Sequence, residues 1–243
     1  MLKHIKIVLV HTSHPGNIGA VARAMKNMDL DRLCLVKPKF FPHADATARA
    51  SGADDILGKA QVYGSLSEAL EECQLVFGAS VRSRTIDWLE LSPKQSIEKI
   101  LATDTSVQVA FVFGREDSGL TNAELDLCHA LIKIPCNSSF SSLNIAAAVQ
   151  VICYELYCGL NVTEKNSSND QQDVSESLAT SAQMELFYNH LFETLSDIGF
   201  IHPDKSRSLM RRLRKLFNRA NVETQEIDIL RGILRFAQGN NQK

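Results

Sequence analysis

The sequence has no apolar run as long as the roughly 18 to 20 residues that a membrane-spanning helix needs, and no signal-peptide core follows its amino terminus. Its six cysteines include no Cys-x-x-Cys pair, and no histidine stands at the spacing typical of a zinc site. A formal net charge of −2 lacks the overall basic character of many nucleic-acid-binding proteins. These absences predict a cytoplasmic protein with reduced thiols and no metal, in which any contact with nucleic acid comes from local patches.

The pattern along the chain indicates an α/β fold. A chain of 243 residues that is 44% hydrophobic can form one large domain or two unequal ones. We expect strands over Ile5–Val10, Arg32–Val36, Gln61–Tyr63, Leu75–Gly78, Val107–Phe113 and Ala130–Ile134. We expect helices over Ile18–Met28, Ser65–Glu72, Pro93–Ala102, Asn122–Cys128 and Leu143–Cys158, the last closed by Gly159. This alternation predicts a parallel sheet flanked by helices, and the continuously apolar strands indicate burial on both faces.

A polar segment separates this region from the rest of the chain. Residues 161–174 have no hydrophobic periodicity and are almost wholly polar, which predicts a linker. Residues 175–243 carry no strand signal. We expect three helices there, over residues 178–197, 204–219 and 223–238, with Asp204 as the N-cap of the second. The sequence therefore predicts an α/β domain over residues 1–160 and a small all-α C-terminal extension.

The first segment with candidate functional residues spans residues 14–27 and follows the first predicted strand. Gly16 and Gly19 permit a tight turn, and Asn17 can cap a helix or contact a ligand. The helix then carries Arg23 among small apolar residues, which would let another chain approach closely. Neither G-x-G-x-x-G nor G-x-x-x-x-G-K-[ST] is present, which disfavours an enzyme of the common nucleotide-binding folds.

Two further segments begin where predicted strands end. Gly114 and Glu116 follow a strongly apolar strand, and Gly119 allows a turn with positive φ. A run of small polar residues leads from Ile134 to Asn144, just before an alanine-rich helix. Small side chains let backbone groups approach a ligand closely, at the sheet edge where parallel α/β proteins bind ligands. An ordinary capped loop is the alternative interpretation of each segment.

Together, these segments resemble the three motifs of the SPOUT-class RNA 2′-O-methyltransferases. The matching patterns are Asn17-x-Gly19-x-x-x-Arg23, Gly114-x-Glu116-x-x-Gly119, and Ile134-Pro135 followed by Ser142-Leu143-Asn144. The loop over residues 79–84 and the basic helix near residues 210–220 are similar to the TrmJ branch of this class. The resemblance implies a deep trefoil knot near the C-terminal end of the α/β domain, and a homodimer with its active site at the subunit interface.

The resemblance also implies an activity and a set of site residues. Members of the TrmJ branch use S-adenosylmethionine to methylate the ribose of the pyrimidine, C or U, at tRNA position 32 in the anticodon loop. The implied catalytic residues are Arg23, Ser142, Asn17, Glu116 and Asn144. The implied cofactor-binding residues are Ala79, Ser80, Val81, Gly114, Ile134, Ser141, Ser142, Leu143 and Asn144. The expected RNA contacts are Arg82, Arg84, Arg211, Arg212, Arg214 and Lys215, although a charge run is more often a solvated face.

Arg23 has two candidate roles. The resemblance implies that Arg23 removes the proton of the ribose hydroxyl, assisted by Ser142 and a substrate phosphate. An arginine pKa above about 12 makes deprotonation of the guanidinium costly. A fixed cation that stabilises the developing alkoxide and grips the neighbouring phosphate is therefore an equally physical role.

Two other functions fit the same residues. The three motifs do not distinguish tRNA position 32 from ribosomal RNA or another tRNA position as the target. An RNA-binding module without catalysis is the alternative of a different class, and the presence of Arg23, Glu116 and Asn144 argues against it.

Overall fold

A seven-stranded parallel sheet organises the first two thirds of the chain. The computed structural model describes residues 1–80, 88–164, 177–202 and 206–240. Its strands are β1 (Ile5–Val10), β2 (Arg32–Val36), β3 (Gln61–Tyr63), β4 (Leu75–Ala79), β5 (Glu90–Leu91), β6 (Val109–Phe113) and β7 (Ala130–Ile132). They lie in the order β3-β2-β1-β6-β4-β7-β5, and every pair is parallel. The predicted parallel sheet is therefore confirmed.

Helices cover both faces of this sheet. They are α1 (Pro15–Asn27), α2 (Ala44–Ala50), α3 (Asp54–Lys59), α4 (Leu66–Leu70), α5 (Pro93–Leu101), α6 (Asn122–Leu125) and α7 (Ile145–Glu164), after a short 3₁₀ turn at Leu2–His4. In β1, Ile7 and Leu9 pack in one core with α1 and α7, whereas Val8 packs in a second core with α4 and α6. Side chains alternate along a strand, so burial on both faces requires the continuous apolar runs seen in the sequence.

The sequence pattern does not predict three of these elements, α2, α3 and β5. Helix α2 has only alanines on its buried face, Ala46 and Ala50, so it lacks the large apolar residues that signal an amphipathic helix. Helix α3 is six residues long and buries only Ile56, and β5 has two residues. Segments this short depend on neighbouring elements more than on their own pattern.

Two glycines act through packing rather than through turns. The predicted helix end at Gly159 is wrong, because α7 continues to Glu164. A Cβ on Gly159 would lie 2.6 Å from Ile97 Cγ2, so this glycine lets α5 approach α7. The first four residues of the predicted linker are therefore helical, and residues 165–174 lie outside the described residues. Gly19 likewise lies inside α1, where a Cβ would be 2.0 Å from the Ala46 carbonyl oxygen of α2.

The C-terminal extension is helical, as predicted. It contains α8 (Ser181–Asp197), α9 (Arg207–Ala220) and α10 (Thr224–Asn240), while the expected N-cap Asp204 lies outside the described residues. These helices share a small core in which the Phe187 and Phe217 rings meet edge to face, with centroids 4.8 Å apart. Such a pair adds about 0.5–1.5 kcal/mol beyond area burial.

The extension docks on the α/β domain of its own chain. The Ser181 backbone N–H donates to the Cys73 carbonyl at 2.8 Å, and Asn218 Nδ2 donates to the Cys128 carbonyl at 3.2 Å. Cys73 and Cys128 each lie two residues before a strand, β4 and β7 respectively. The docking surface is therefore at the amino edge of the sheet. No helix among the residues described is both long and apolar enough to cross a membrane.

The crossing of α1 and α2 yields a stability prediction. Gly19→Ala should destabilise the protein by about 1–3 kcal/mol, because the new methyl group meets backbone that cannot move aside cheaply. The matched control is Gly58→Ala in α3, where no atom lies within 4 Å of the added Cβ. That variant should gain roughly 0.4–1 kcal/mol from a less flexible unfolded chain. Urea unfolding measures both, and a Gly19→Ala protein as stable as the parent would contradict the packing role.

Candidate active site at the carboxyl edge of the sheet

A cavity of about 520 Å³ opens at the carboxyl ends of β4, β6 and β7. Three loops line it: the end of β4, residues 114–119 after β6, and residues 134–144 after β7. Eight of the nine expected cofactor residues line this cavity: Ala79, Ser80, Gly114, Ile134, Ser141, Ser142, Leu143 and Asn144. The ninth, Val81, lies outside the described residues. The structure thus brings together residues that are up to 65 positions apart in sequence, from Ala79 to Asn144.

The loop after β6 is closed tightly on itself. The Arg115 backbone N–H donates to the Gly119 carbonyl at 3.2 Å, and the Gly119 N–H returns a bond to the Arg115 carbonyl at 2.9 Å. A Cβ on Gly114 would lie 2.2 Å from the Gly119 carbonyl carbon, and Gly119 itself has φ +69°. Both positions therefore require glycine, the first for space and the second for conformation.

A chain of side-chain hydrogen bonds joins the three sequence motifs. Asn144 caps α7 through its Oδ1, which accepts from the Ala146 N–H at 2.9 Å. Its Nδ2 donates to Asn17 Oδ1 at 3.2 Å, and Asn17 Nδ2 donates to Glu116 Oε1 at 3.0 Å. The start of α1, the loop after β6 and the start of α7 are thereby held in one arrangement. Three of the five expected catalytic residues form this chain.

Glu116 is the acceptor at the end of this chain. Besides the Asn17 amide, its carboxylate accepts from the Ser13 hydroxyl at 3.0 Å, the Ser13 N–H at 3.2 Å and the His14 N–H at 3.3 Å. Burial alone raises the pKa of Glu116, but the donors from Asn17, Ser13 and His14 outweigh it and leave that pKa below its usual value. The carboxylate therefore stays ionised and does not exchange protons near neutral pH. Ser13, which had no expected role, directly precedes the His14-Pro-Gly-Asn segment.

Arg115 and Glu124 support the same loop from outside. Arg115 Nη1 lies 3.0 Å from Glu124 Oε2, and Glu124 also forms a capping box with Thr121. Because Glu124 holds Arg115, the arginine fixes the loop, and it also forms part of the cavity lining.

Arg23 does not line the cavity. It lies six residues after Asn17 in α1, which at 100° per residue rotates it by about 240° and moves it about 9 Å along the axis. Asn17 faces Glu116, so Arg23 points to a different side of the helix. Its side chain is exposed, and it has no hydrogen-bond or ion-pair partner within the part of the chain that the structure describes.

The cations of α9 divide into two sets. Arg211 Nε lies 2.8 Å from Asp126 of the α/β domain, and Arg214 pairs with Glu185 while its guanidinium lies over the Tyr188 ring, 4.3 Å from the centroid. These two arginines, expected to bind RNA, instead hold α9 in place. Arg212 is exposed and Lys215 half-exposed, and neither forms an ion pair with another residue in the part of the chain that the structure describes. Arg82 and Arg84 lie outside the described residues, and the described residues contain no metal-binding cluster of His, Cys, Asp or Glu.

Comparison with known proteins gives consistent matches over the whole chain. The SpoU rRNA Methylase family matches residues 4–154, and the C-terminal domain of the tRNA methyltransferase TrmJ matches residues 182–243. The tRNA (cytidine/uridine/adenosine-2'-O-)-methyltransferase TrmJ of Pseudomonas aeruginosa is 49% identical over 96% of this chain and 93% of its own. The tRNA (cytidine/uridine-2'-O-)-methyltransferase TrmJ of Salmonella choleraesuis is 46% identical over 100% and 99%. The crystal structure of TrmJ from Z. mobilis ZM4 superimposes with a TM-score of 0.82 at 32% identity, over 95% and 97% of the two chains.

The ionised Glu116 yields a pH-dependent stability prediction. Glu116→Gln should lower the free energy of unfolding at pH 7 by about 1–3 kcal/mol, because amide donors around it lose an acceptor. The pKa of Glu116 is lower in the folded state than in the unfolded state. Its ionisation therefore stabilises the fold fully at pH values above the unfolded-state pKa, and this stability is lost as the pH falls through the folded-state pKa. The stability difference between parent and variant should therefore shrink with acidification.

Denaturant unfolding at pH 7, 5 and 3.5 measures this difference. Glu71→Gln is the matched control, since Glu71 is exposed and should give the same small difference at each pH. A Glu116→Gln deficit that does not change between pH 7 and 3.5 would mean that the carboxylate's charge is not what holds the loop.

Proposed function

Because the chain belongs to the SpoU methylase family and ends in a TrmJ C-terminal domain, we propose that it is a tRNA 2′-O-methyltransferase. It transfers a methyl group from S-adenosylmethionine to the ribose 2′-hydroxyl of C or U at position 32 in the anticodon loop. The observation that carries this proposal is the Asn144–Asn17–Glu116 chain, which gathers the three family motifs beside one cavity. We also propose that the protein is cytoplasmic, since an enzyme of this kind must meet its tRNA substrate.

The cavity fits S-adenosylmethionine in size and chemistry. Ligand pockets of about 300–1,000 Å³ suit a molecule of this size, and this one measures about 520 Å³. Ile132, Ile134 and Leu143 give it an apolar wall for a purine ring, while Ser141 and Ser142 offer hydroxyl groups. The nearby Glu116 carboxylate suits a ligand that carries positive charge. When bound, S-adenosylmethionine supplies an electrophilic methyl group on a sulfonium.

The protein's own residues position the acceptor hydroxyl and stabilise its charge. Holding two reactants in line at contact distance can contribute about 7–11 kcal/mol to lowering the barrier. As the 2′-hydroxyl attacks, negative charge develops on its oxygen, and the Arg23 guanidinium stabilises that charge and holds the adjacent phosphate. Ser142 accepts a hydrogen bond from the same hydroxyl, and the hydroxyl proton passes to solvent water at this exposed position. Asn17, Glu116 and Asn144 are positioning residues, because their polar atoms bond one another.

This role for Arg23 requires two copies of the chain. Arg23 points away from its own cavity, so it reaches a cavity only if a second subunit packs against α1. Helix α7 packs beside α1 and exposes Tyr154 and Tyr157, with 53% and 41% of their areas accessible. These aromatic residues support a homodimer whose interface includes both helices. The deep trefoil knot is part of the same proposal, and the meeting of the loops after β4, β6 and β7 at one cavity supports it.

The first experiment tests reaction, position and Arg23 together. Unmodified bulk tRNA is incubated with methyl-labelled S-adenosylmethionine, and the labelled nucleotide is mapped. We expect a 2′-O-methylated C or U at position 32, and adenosine is scored as well because a relative's name includes it. Arg23→Ala and Arg23→Lys should each lower kcat at least about 100-fold, because lysine lacks the planar fork of donors. Cofactor binding should change less than about twofold, as Arg23 lies outside the cavity.

Lys26→Ala is the control, since Lys26 is another exposed cation of α1 and pairs with Asp55. Label at another tRNA nucleotide would show that the methylated position is not 32. If the protein binds the cofactor but labels only ribosomal RNA, its substrate is ribosomal RNA and not tRNA. If it does not bind the cofactor, the RNA-binding module is favoured. Normal turnover by Arg23→Lys would remove the guanidinium from the mechanism.

The two sets of cations on α9 give a second prediction. Arg212→Ala and Lys215→Ala should weaken tRNA binding, and each lost phosphate contact should reduce the log–log salt slope by roughly 0.7–0.9. Arg211→Ala, one residue away, should instead lower the thermal midpoint, because it leaves Asp126 without its partner. Filter binding at several salt concentrations separates the two results. An unchanged salt slope in the Arg212→Ala/Lys215→Ala double variant would exclude this face from tRNA binding.

A further inference from the structure

A half-exposed phenylalanine stands on a cationic loop near the candidate active site. We call residues 37–43, between β2 and α2, the β2 loop. It contains two adjacent phenylalanines with opposite surroundings: Phe41 packs against the main core, whereas Phe40 is 50% exposed. Phe41 is therefore sufficient to anchor the loop, and the exposed ring of Phe40 is not needed for packing.

Hydrogen bonds fix the β2 loop relative to the cavity. The Lys39 backbone N–H donates to the Thr12 carbonyl at 3.0 Å, and the next residue, Ser13, donates to Glu116 in the cavity wall. The chain turns through left-handed conformations at both strand ends, His11 with φ +53° and Lys37 with φ +46°. Strained residues of this kind persist only where their surroundings hold them, and they are frequent at binding sites. Phe40 is thus held at the same sheet edge as the cavity.

One cation lies beside the Phe40 ring, and two more are exposed on the β2 loop and on α2. Lys37 and Lys39 are exposed, and Lys39 Nζ lies 5.4 Å from the centroid of the Phe40 ring. Arg49 of α2 is also exposed, and its Cγ would be 3.4 Å from a Cβ on Gly16, which places it beside the start of α1. Asp45, in the first turn of α2, is an acidic side chain on the same stretch and lies 3.7 Å from His43. An aromatic face with nearby cations suits a nucleic-acid base and its phosphates.

We propose that Phe40 is a stacking platform for an RNA base next to the methylated nucleotide, with Lys39 and Arg49 on the flanking phosphates. This inference rests on the proposed function, because it names a contact of that same substrate. A loop nucleotide must be turned out of its stack for its 2′-hydroxyl to reach the cavity, and its neighbours then lose stacking partners. An aromatic side chain held at the same sheet edge as the cavity replaces one of these partners and fixes the nucleotide's position.

The test compares Phe40→Leu with Phe40→Tyr. Leucine keeps an apolar side chain and removes the ring, whereas tyrosine keeps the ring. Dissociation constants for unmodified tRNA are measured without cofactor, and KM and kcat are measured with it. We expect Phe40→Leu to raise both the dissociation constant and KM about 5- to 100-fold and Phe40→Tyr to stay within about threefold of the parent. Val62→Ala, at another exposed apolar residue, should leave both constants unchanged.

The salt dependence separates stacking from charge. Phe40→Leu should weaken binding without changing the log–log salt slope, whereas Lys39→Ala should reduce the slope by roughly 0.7–0.9. Equal tRNA affinity in the parent and Phe40→Leu would overturn the inference, and so would leucine and tyrosine variants that behave alike. A Phe40→Leu protein that dissociates into monomers in sedimentation would also overturn it, by making Phe40 a subunit contact.

The binding assay keeps this inference separate from the proposed reaction. If the parent binds tRNA but transfers no methyl group, the proposed function fails while a loss of affinity in Phe40→Leu still supports the platform. If the parent methylates tRNA and Phe40→Leu binds and reacts normally, only the platform fails. A parent protein that does not bind RNA would defeat both.

Discussion

The carboxylate of Glu116 is the interaction on which the candidate site depends. It collects donors from the end of β1, through Ser13 and His14, and from the start of α1, through Asn17. The turn between β1 and α1 and the loop after β6, about 100 residues apart in sequence, therefore meet at one half-buried acceptor, and Asn144 joins α7 to the same set. An ionised carboxylate is well suited to this role, because charge-assisted hydrogen bonds are stronger than neutral ones. The Glu116 carboxylate thereby fixes the loop after β6 and the start of α7 relative to α1, and both of these segments line the cavity.

The basic helix α9 illustrates how one residue of offset changes a side chain's role. Arg211, Arg214 and Asn218 follow the spacing of three and four residues that places them along one stripe, and this stripe faces the protein. Arg212 and Lys215 follow the same spacing one position later, so they lie on the neighbouring stripe, which faces solvent. A helix with cations on both stripes can bind its own domain with one and an anionic partner with the other.

Local patterns in the sequence were sufficient for most of the sheet and the cavity. Strands β1, β2 and β3 match the predicted bounds. Strands β1 and β2 are apolar runs buried on both faces, which have a strong signal, whereas β3 is a short and largely exposed edge strand. The cavity loops were recognisable from small residues at strand ends. The sequence did not reveal the roles of Gly19 and Gly159, since each depends on a helix packed against it, at Ala46 and Ile97 respectively. For the same reason it did not reveal that Arg211 pairs with Asp126, which is 85 residues away.

The C-terminal helices and the cavity occupy opposite edges of the same sheet. The helices dock near Cys73 and Cys128, before β4 and β7 begin, whereas the cavity opens where those strands end. Strand β4 has five residues, which corresponds to about 17 Å of extended chain. An RNA that contacts both edges of one subunit must cover at least this span, which is about the width of a double helix. The fold thereby sets a minimum substrate size: an isolated nucleotide can occupy the cavity, but only an RNA that extends at least this far can also reach the helices of the same subunit.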